Sequence, residues 1–180
     1  MIEDMSEETL VKVMSEFKCE KNGDIQDFLQ NRALEYEKRG WCSVYVLINR
    51  DKSESDNFYF VDGYFTLSNK VVYLSEEVSN SKKRKIFRGM RKNDDYMHFI
   101  LIGQLGKYID NEDVKKEEEL TATLLLDDAF DIIYQVKERI TCSGVLVECK
   151  DEPKIRKIYE EYGFKELQRD GELIQYFKII

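Results

Sequence analysis

Tyr159 is the residue of this sequence whose type and position are most suggestive of chemistry. It lies in the segment KIYEEYGF, residues 157–164, four residues before Gly163 at the end of a short helical pattern. A phenol with an ordinary pKa near 10 is protonated at neutral pH and can serve as a proton donor. Ile155 and Tyr162 lie at helical spacings from Tyr159, which equally suits a core aromatic. The local pattern leaves both interpretations open.

Histidine and cysteine chemistry is restricted by composition. The chain has one histidine, His98, so it cannot build a His-rich metal site, and we expect no metal. Any Ser-His-Asp or Cys-His catalysis would depend on that residue, whose more ordinary role is to flank a strand. The four cysteines form no C-x-x-C pair and are expected to be reduced thiols: Cys19, Cys42, Cys142 and Cys149.

The net charge of the chain limits the classes of molecule that it is expected to bind. The formal net charge of −8 repels nucleic acid and anionic lipid on average. Residues 81–92, SKKRKIFRGMRK, oppose this average with seven cationic side chains between Lys82 and Lys92. The segment is either a solvated loop or helix, or a contact for phosphates of a nucleotide cofactor or an RNA. An acidic start and the lack of an apolar run of about 20 residues favour a cytoplasmic protein with no membrane contact.

The elements that must position these residues alternate in type along the chain. Helical spacing predicts four helices, with Ser6 and Asp24 as caps and Gly40 and Gly163 as stops, at 6–16, 24–39, 120–140 and 153–163. Apolar and β-branched runs predict strands at 44–48, 58–67, 97–105 and 144–149. An Asp170-Gly171 turn predicts a final hairpin within 164–179. This order favours one domain with helices on both faces of a mixed sheet.

Five strings in this order resemble the GNAT superfamily of acyl-CoA-dependent N-acetyltransferases, in particular its small bacterial, toxin-like members. They are FKCEKNGDIQDFLQNRA, GYFTLS, FILIGQLGK, LLLDDAF and KIYEEYGF, and they span nearly the whole chain. The resemblance implies a single acyltransferase domain over residues 1–180. It also implies an α/β fold whose central mixed, mostly antiparallel sheet is flanked by helices.

The resemblance further implies transfer of an acetyl group from acetyl-CoA to a primary amine by direct attack. Tyr159 corresponds to the tyrosine that protonates the departing thiolate, whose pKa of about 8 to 9 a phenol can match. The thioester would lie against the backbone of Leu105, Gly106 and Lys107, with a strand N–H polarising its carbonyl. Glu148 is the candidate base, with a structural salt bridge as its alternative role.

The chain departs from the family at the pyrophosphate loop. The usual Q/R-x-x-G-x-G/A pattern corresponds to residues 117–122, where Glu117 and Leu120 replace the first two consensus residues and only Ala122 is retained. In one interpretation, backbone N–H groups still hold the diphosphate, those of Thr121, Ala122, Thr123 and Leu124. In the other, the cofactor site is lost and the fold serves as a binding or regulatory module.

The expected partners are acetyl-CoA and an amine, which could belong to a small molecule, a peptide or an aminoacyl-tRNA. A toxin-like enzyme acting on charged tRNA would use residues 82–92 for RNA contact. The resemblance also allows a homodimer.

Overall fold

The computed structural model describes residues 6–49, 52–53, 59–81, 83, 96–110 and 120–180. Within them the predicted order of helices and strands is confirmed. The elements are α1 (Glu7–Ser15), α2 (Gly23–Asp27), a π-helical turn (Phe28–Arg32), α3 (Ala33–Lys38), β1 (Ser43–Asn49), β2 (Phe60–Tyr73), β3 (Tyr96–Lys107), α4 (Ala122–Lys137), β4 (Gly144–Lys150), α5 (Pro153–Glu161), β5 (Lys165–Asp170) and β6 (Leu173–Lys178).

The six strands form one mixed sheet in the order β1-β2-β3-β4-β6-β5. β3 and β4 are parallel, from the pair Phe99–Gly144 to the pair Ile102–Val147. β6 is antiparallel to both of its neighbours, β4 and β5. The predicted turn at Gly171 joins β5 to β6, and Gly171 has a φ of 59°, a conformation that glycine adopts without strain. The mixed α/β prediction is therefore confirmed.

The predicted helix 24–39 is interrupted by a wider turn. Its cap is Asn22 rather than Asp24, because the Asn22 side chain accepts from the backbone N–H groups of Asp24 and Ile25. The turn at Phe28–Arg32 is π-helical, with the Ala33 N–H bonded to the Phe28 carbonyl five residues earlier. Such an inserted turn comes from tertiary contacts, which helical periodicity does not encode.

The predicted strand 58–67 is too short, since β2 continues to Tyr73. In its last residues Val72 is buried while Val71 and Tyr73 are exposed. This half of the strand therefore follows the period of two. Its polar start at Ser68 and Asn69 hides the pattern in the sequence.

The chain divides into two compact units, each discontinuous in sequence: Met1–Thr66 with Gln104–Leu126, and Leu67–Gly103 with Asp127–Ile180. The expectation of a single domain over residues 1–180 remains a prediction.

An aromatic core organises the first unit. The Tyr64 ring is fully buried, stacks on Phe28 with centroids 6.2 Å apart and meets the edge of Phe17 at 5.5 Å. Its hydroxyl donates to the Ile25 carbonyl at 2.7 Å, so the buried polar group is satisfied. This bond fixes α2 against β2.

The second unit buries both faces of its strands. One face carries a cluster of Val72, Leu74, Met97, Phe99, Leu146, Leu167 and Phe177. On the other face of β4 and β6 lie Val145, Val147, Ile174 and Tyr176, which have no exposed surface. α4 contributes Ile133 and Ala129, which are equally buried. The continuous apolar character of β4 in the sequence follows from burial on both faces.

We predict that Gly106→Ala destabilises the first unit. A Cβ at Gly106 would lie 2.3 Å from Ile25 Cγ2 and 2.9 Å from Tyr64 Cε1, and neither atom can move without disturbing the core. Overpacking of this kind lowers the free energy of unfolding by about 1–3 kcal/mol. The control is Gly23→Ala, where nothing lies within 4 Å of the added methyl. Urea denaturation of both variants checks the difference, and equal stabilities would contradict it.

Candidate active site

A helix-ending motif positions Tyr159. The Gly163 N–H donates to the Glu160 carbonyl at 3.0 Å, and the Phe164 N–H donates to the Tyr159 carbonyl at 2.9 Å. Gly163 has a φ of 94°. These two bonds form a Schellman motif, which ends α5 and brings the rings of Tyr159 and Phe164 together at 5.8 Å. The Tyr-x-x-x-Gly-Phe spacing is thus explained by helix termination alone, without a catalytic role for Tyr159.

The Tyr159 side chain is buried, with 9% of its surface exposed. Other tyrosines use their hydroxyls as donors, and among them Tyr108 donates to Asp110 Oδ2 at 3.3 Å. Tyr64 donates to the Ile25 carbonyl, Tyr162 to Asp127 Oδ1 at 2.7 Å, and Tyr176 to Glu160 Oε1 at 2.9 Å. The Tyr159 hydroxyl has no hydrogen-bond partner in the part of the chain that the structure describes. Among the described residues, Ser75 Oγ is the fully buried side-chain polar atom without a partner, so the Tyr159 hydroxyl retains some accessible surface.

Burial keeps the proton on Tyr159. Removal from solvent raises the pKa of this phenol well above its ordinary value, and the nearby Cys149 thiol contributes in the same direction. Burial also raises the pKa of Cys149 to about 11. Both groups are therefore neutral at physiological pH. Cys149 is buried and protonated, which does not favour it as a nucleophile.

Glu148 lies on the face of β4 opposite to Cys149 and is held by an ion pair. Lys70 Nζ donates to both of its carboxylate oxygens, at 2.6 and 2.7 Å. Gln175 Nε2 donates to the same carboxylate at 2.7 Å, and Gln168 in turn donates to Gln175 Oε1 at 3.0 Å. Gln175 is only 1% exposed. The salt bridge considered in the sequence analysis is present, and its partner is Lys70 on β2.

The pairing of β3 with β4 ends next to Glu148. The last register pair is Ile102–Val147, although β4 continues to Lys150. Glu148 remains paired with Gln175 of β6 on the other side. Beyond Val147 the register of β4 continues along β6, up to the pair Lys150–Leu173.

The end of β3 carries the three residues predicted to face the thioester. Leu105 and Lys107 are half-buried, and Gly106 is buried. The space beside the Gly106 Cα is occupied by Ile25 and Tyr64. Any contact of Gly106 with a ligand would therefore use its backbone groups.

The predicted anion site at the start of α4 has fewer available backbone N–H groups than expected. Thr121 caps the helix, and its hydroxyl accepts from the Leu124 N–H at 3.2 Å. The Leu124 amide is thus already bonded within the chain. No partner of the N–H groups of Thr121, Ala122 and Thr123 lies within the described ranges, and Thr121 and Thr123 are exposed. Three amides of the first turn remain for an anion.

Leu120 occupies a loop position where the family has glycine, and the structure gives it a packing role. A Cβ on Gly63 would lie 2.6 Å from Leu120 Cδ2 and 3.2 Å from Leu125 Cδ2. The Leu120 side chain therefore covers the glycine of β2. Where a glycine would make the loop flexible, Leu120 makes an apolar contact with Gly63 instead.

Several predicted features lie outside the described residues. Glu117, with its two following glutamates, belongs to the undescribed range 111–119, and Lys82 and residues 84–92 of the cationic segment are also outside. His98 is exposed on β3 and meets Tyr96 edge-on at 5.6 Å. The described residues contain no group of three potential metal ligands. None of the described helices combines the length and apolarity needed to cross a bilayer.

Sequence reasoning missed Lys70 and Gln175. Lys70 lies in the unrecognised half of β2, and its pairing with Glu148 joins residues 78 positions apart. A signal for Gln175 was present, since it is a polar residue between Ile174 and Tyr176 in the apolar and aromatic run LIQYF. A buried amide in a sheet implies a polar partner.

The mixed six-stranded sheet and its flanking helices form the GNAT-like fold that the sequence predicts. Among solved structures, AtaT complexed with acetyl-methionyl-tRNAfMet has 19% identity and a TM-score of 0.67 over 92% of this chain and 86% of that chain. A tyrosine-to-phenylalanine mutant of KacT has 17% identity and a TM-score of 0.66 over 91% and 86%. AtaTR bound with AcCoA has 17% identity and a TM-score of 0.64 over 91% and 86%. The chain thus shares the fold of the toxins AtaT and KacT. It matches no protein-family profile and no curated protein sequence.

The Lys70–Glu148 pair should show strong energetic coupling. A double-mutant cycle of Lys70→Met and Glu148→Gln should give about 0.5–3 kcal/mol, because the two charges are mostly removed from water, with side-chain exposures of 31% and 15%. The control cycle is Lys157→Met with Glu161→Gln, whose side chains are 72% and 69% exposed and 3.6 Å apart. Its coupling should stay below about 0.5 kcal/mol. Equal couplings from urea unfolding would show that Glu148 is more solvated than described.

Proposed function

We propose that this protein is an acetyl-CoA-dependent N-acetyltransferase in which Tyr159 is the general acid. The observation that carries the proposal is that the largely buried Tyr159 side chain has a hydroxyl without a partner among the described residues, at the position that the family uses for proton donation. The fold supports it, since AtaTR, which has the same fold, is solved bound with AcCoA. KacT, likewise, is solved as a tyrosine-to-phenylalanine mutant.

In the proposed reaction an amine nitrogen attacks the thioester carbonyl carbon of acetyl-CoA. The tetrahedral intermediate collapses with cleavage of the C–S bond, and the Tyr159 O–H gives its proton to the departing sulfur. The Tyr159 hydroxyl, which has no partner among the described residues, would make its hydrogen bond to this sulfur. Burial holds the phenol neutral and leaves its proton available only to a group that enters the site.

The diphosphate of the cofactor would bind at the start of α4. The N–H groups of Thr121, Ala122 and Thr123 supply donors, and the helix dipole favours an anion there. The Thr123 hydroxyl can add a further donor, whereas the Thr121 hydroxyl is used as the cap. The thioester would lie along the backbone of Leu105, Gly106 and Lys107.

Glu148 is proposed as the acceptor of the proton that the substrate ammonium must lose. Its carboxylate lies on the face of β4 opposite to Cys149, where Lys70 and Gln175 hold it in place. Lys70 would have to share the carboxylate with the incoming ammonium.

The acceptor amine can be that of a small molecule, a peptide or an aminoacyl-tRNA. The structure of AtaT complexed with acetyl-methionyl-tRNAfMet supports the last of these by analogy. The alternative function is a binding or regulatory module without cofactor.

Calorimetric titration with acetyl-CoA tests the cofactor site, and Ala122→Pro sharpens the test. Ala122 is the first residue of α4, where proline is tolerated, so the substitution removes one cradle N–H without breaking the helix. Loss of a hydrogen bond to a charged group should weaken acetyl-CoA binding by about 10- to 100-fold. Ala122→Gly retains the N–H and should bind like the parent. Absence of binding to the parent at millimolar ligand would leave only the non-catalytic module.

Tyr159→Phe should lower turnover by about 100-fold or more, with acetyl-CoA affinity unchanged. Its free energy of unfolding should not fall, because the lost hydroxyl has no partner among the described residues. The matched control is Tyr162→Phe, which loses the bond to Asp127 and should cost about 0.5–1.5 kcal/mol of stability while keeping turnover. Thiol release and thermal unfolding measure both properties. Parent-like turnover of Tyr159→Phe would assign this residue to packing.

A further inference from the structure

The Tyr159 phenol is oriented by packing rather than by a hydrogen bond of its own. Its ring meets those of Phe164 and Tyr176, with centroids 5.8 and 6.4 Å away, and its hydroxyl has no partner among the described residues. A proton donor must come within about 2.6–3.2 Å of the atom that it protonates. The position of this hydroxyl therefore depends on how firmly α5 is held against the sheet.

α5 is a short helix whose first turn is not capped by a side chain. It spans nine residues, Pro153–Glu161, and the Glu152 side chain makes no capping hydrogen bond. Isolated helices shorter than about 12–15 residues are marginal in water. The Schellman motif at Gly163 fixes only the C-terminal end of the helix. Contacts with the sheet must therefore hold the turn that carries Tyr159.

The hydroxyl of Tyr176 on β6 makes two such contacts. The Tyr176 side chain has no exposed surface, and its hydroxyl accepts from Arg156 Nε at 3.0 Å and donates to Glu160 Oε1 at 2.9 Å. Arg156 precedes Tyr159 by three residues and Glu160 by four, so the three side chains are neighbours on the surface of α5. One buried hydroxyl thus binds α5 on both sides of Tyr159.

Arg156 is held from a second direction by Asp151, at the junction of β4 and α5. Arg156 Nη1 donates to Asp151 Oδ1 at 3.1 Å, and Arg169 of β5 donates to the other carboxylate oxygen at 2.5 Å. A planar guanidinium with several donors suits such simultaneous binding of a hydroxyl and a carboxylate. Among the described residues no hydrogen bond joins Arg169 to Tyr176, so the two arginines of this cluster differ in their contact with β6.

We propose that Tyr176 is a positioning residue for the general acid, and that its hydroxyl supports turnover by holding α5, and with it Tyr159, against β6. The inference rests on the proposed role of Tyr159. Tyr176 is not a second proton donor in the reaction, because its O–H is donated to Glu160. Misplacement of a reacting group by about 1 Å can cost on the order of 100-fold in rate. A hydroxyl that does not touch the substrate can therefore affect turnover.

Tyr176→Phe tests the proposal, because it removes the hydroxyl and keeps the ring beside Tyr159. The variant should fold, since Arg156 is half-buried and Glu160 is exposed, so that water can replace the lost bonds; thermal unfolding checks this. Turnover measured by thiol release should fall about 10-fold, with the KM for acetyl-CoA unchanged. Parent-like turnover would overturn the proposal.

A double mutant separates positioning from a general structural effect. In the Tyr159→Phe background there is no phenol proton to position, so Tyr176→Phe should leave the residual turnover unchanged. A purely structural role would lower turnover by the same factor in both backgrounds. That result would contradict action through Tyr159.

Arg156→Met tests the same contact from the helix, and it remains informative should Tyr176→Phe fail to fold. It removes the donor to Tyr176 from a side chain that is 36% exposed. The matched control is Arg169→Met, which removes the other arginine from Asp151 and leaves both bonds of the Tyr176 hydroxyl in place. Arg156→Met should lower turnover about 10-fold, whereas Arg169→Met should retain it. Equal turnover of the two variants would overturn the proposal.

The Tyr159→Phe variant alone distinguishes failure of this inference from failure of the proposed function. Parent-like turnover of Tyr159→Phe, or a parent without turnover, would remove the general acid and the positioning role with it. Loss of turnover in Tyr159→Phe, together with parent-like turnover of Tyr176→Phe and Arg156→Met, would reject the positioning role only.

Discussion

A buried phenol either donates a hydrogen bond to a neighbouring group or keeps its O–H available to a ligand, and the tyrosines of this chain differ in this respect. The hydroxyls of three tyrosines donate hydrogen bonds to groups of the same chain, which indicates a structural role for Tyr64, Tyr162 and Tyr176. Tyr159 is less buried than Tyr64 and Tyr176 and more buried than Tyr162, and it has no such partner among the described residues. Burial raises its pKa, which is the condition under which a phenol keeps a proton for transfer.

In residues 157–164 the motif that ends α5 also holds the hydroxyl proposed to act in catalysis. The Schellman motif at Gly163 ends α5, and its apolar contact joins Tyr159 to Phe164. Any residue with a large apolar side chain could make that contact. The hydroxyl is the one part of Tyr159 that helix termination does not require, which is why its removal separates packing from catalysis.

Polar groups on the opposite face of β4 form a separate system. Lys70, Glu148, Gln175 and Gln168 satisfy one another across β2, β4, β6 and β5. A half-buried carboxylate needs a cation or donors nearby, and this network supplies both. The same contacts would hold Glu148 in place as an acceptor, provided that Lys70 yields part of the carboxylate to the substrate.

The sequence by itself determined the order of elements, the Asp170-Gly171 hairpin and the strand of β4, because each depends on local spacing or on a continuous apolar run. It also indicated Tyr159 through the spacing to Gly163. The π-helical turn, the Lys70–Glu148 pair and the capping of Leu124 by Thr121 were decided only by the folded chain. The first two depend on contacts between segments far apart in sequence. The third depends on whether the Leu124 N–H bonds to the Thr121 side chain or stays available to a ligand. Residue types alone do not determine which of the two occurs.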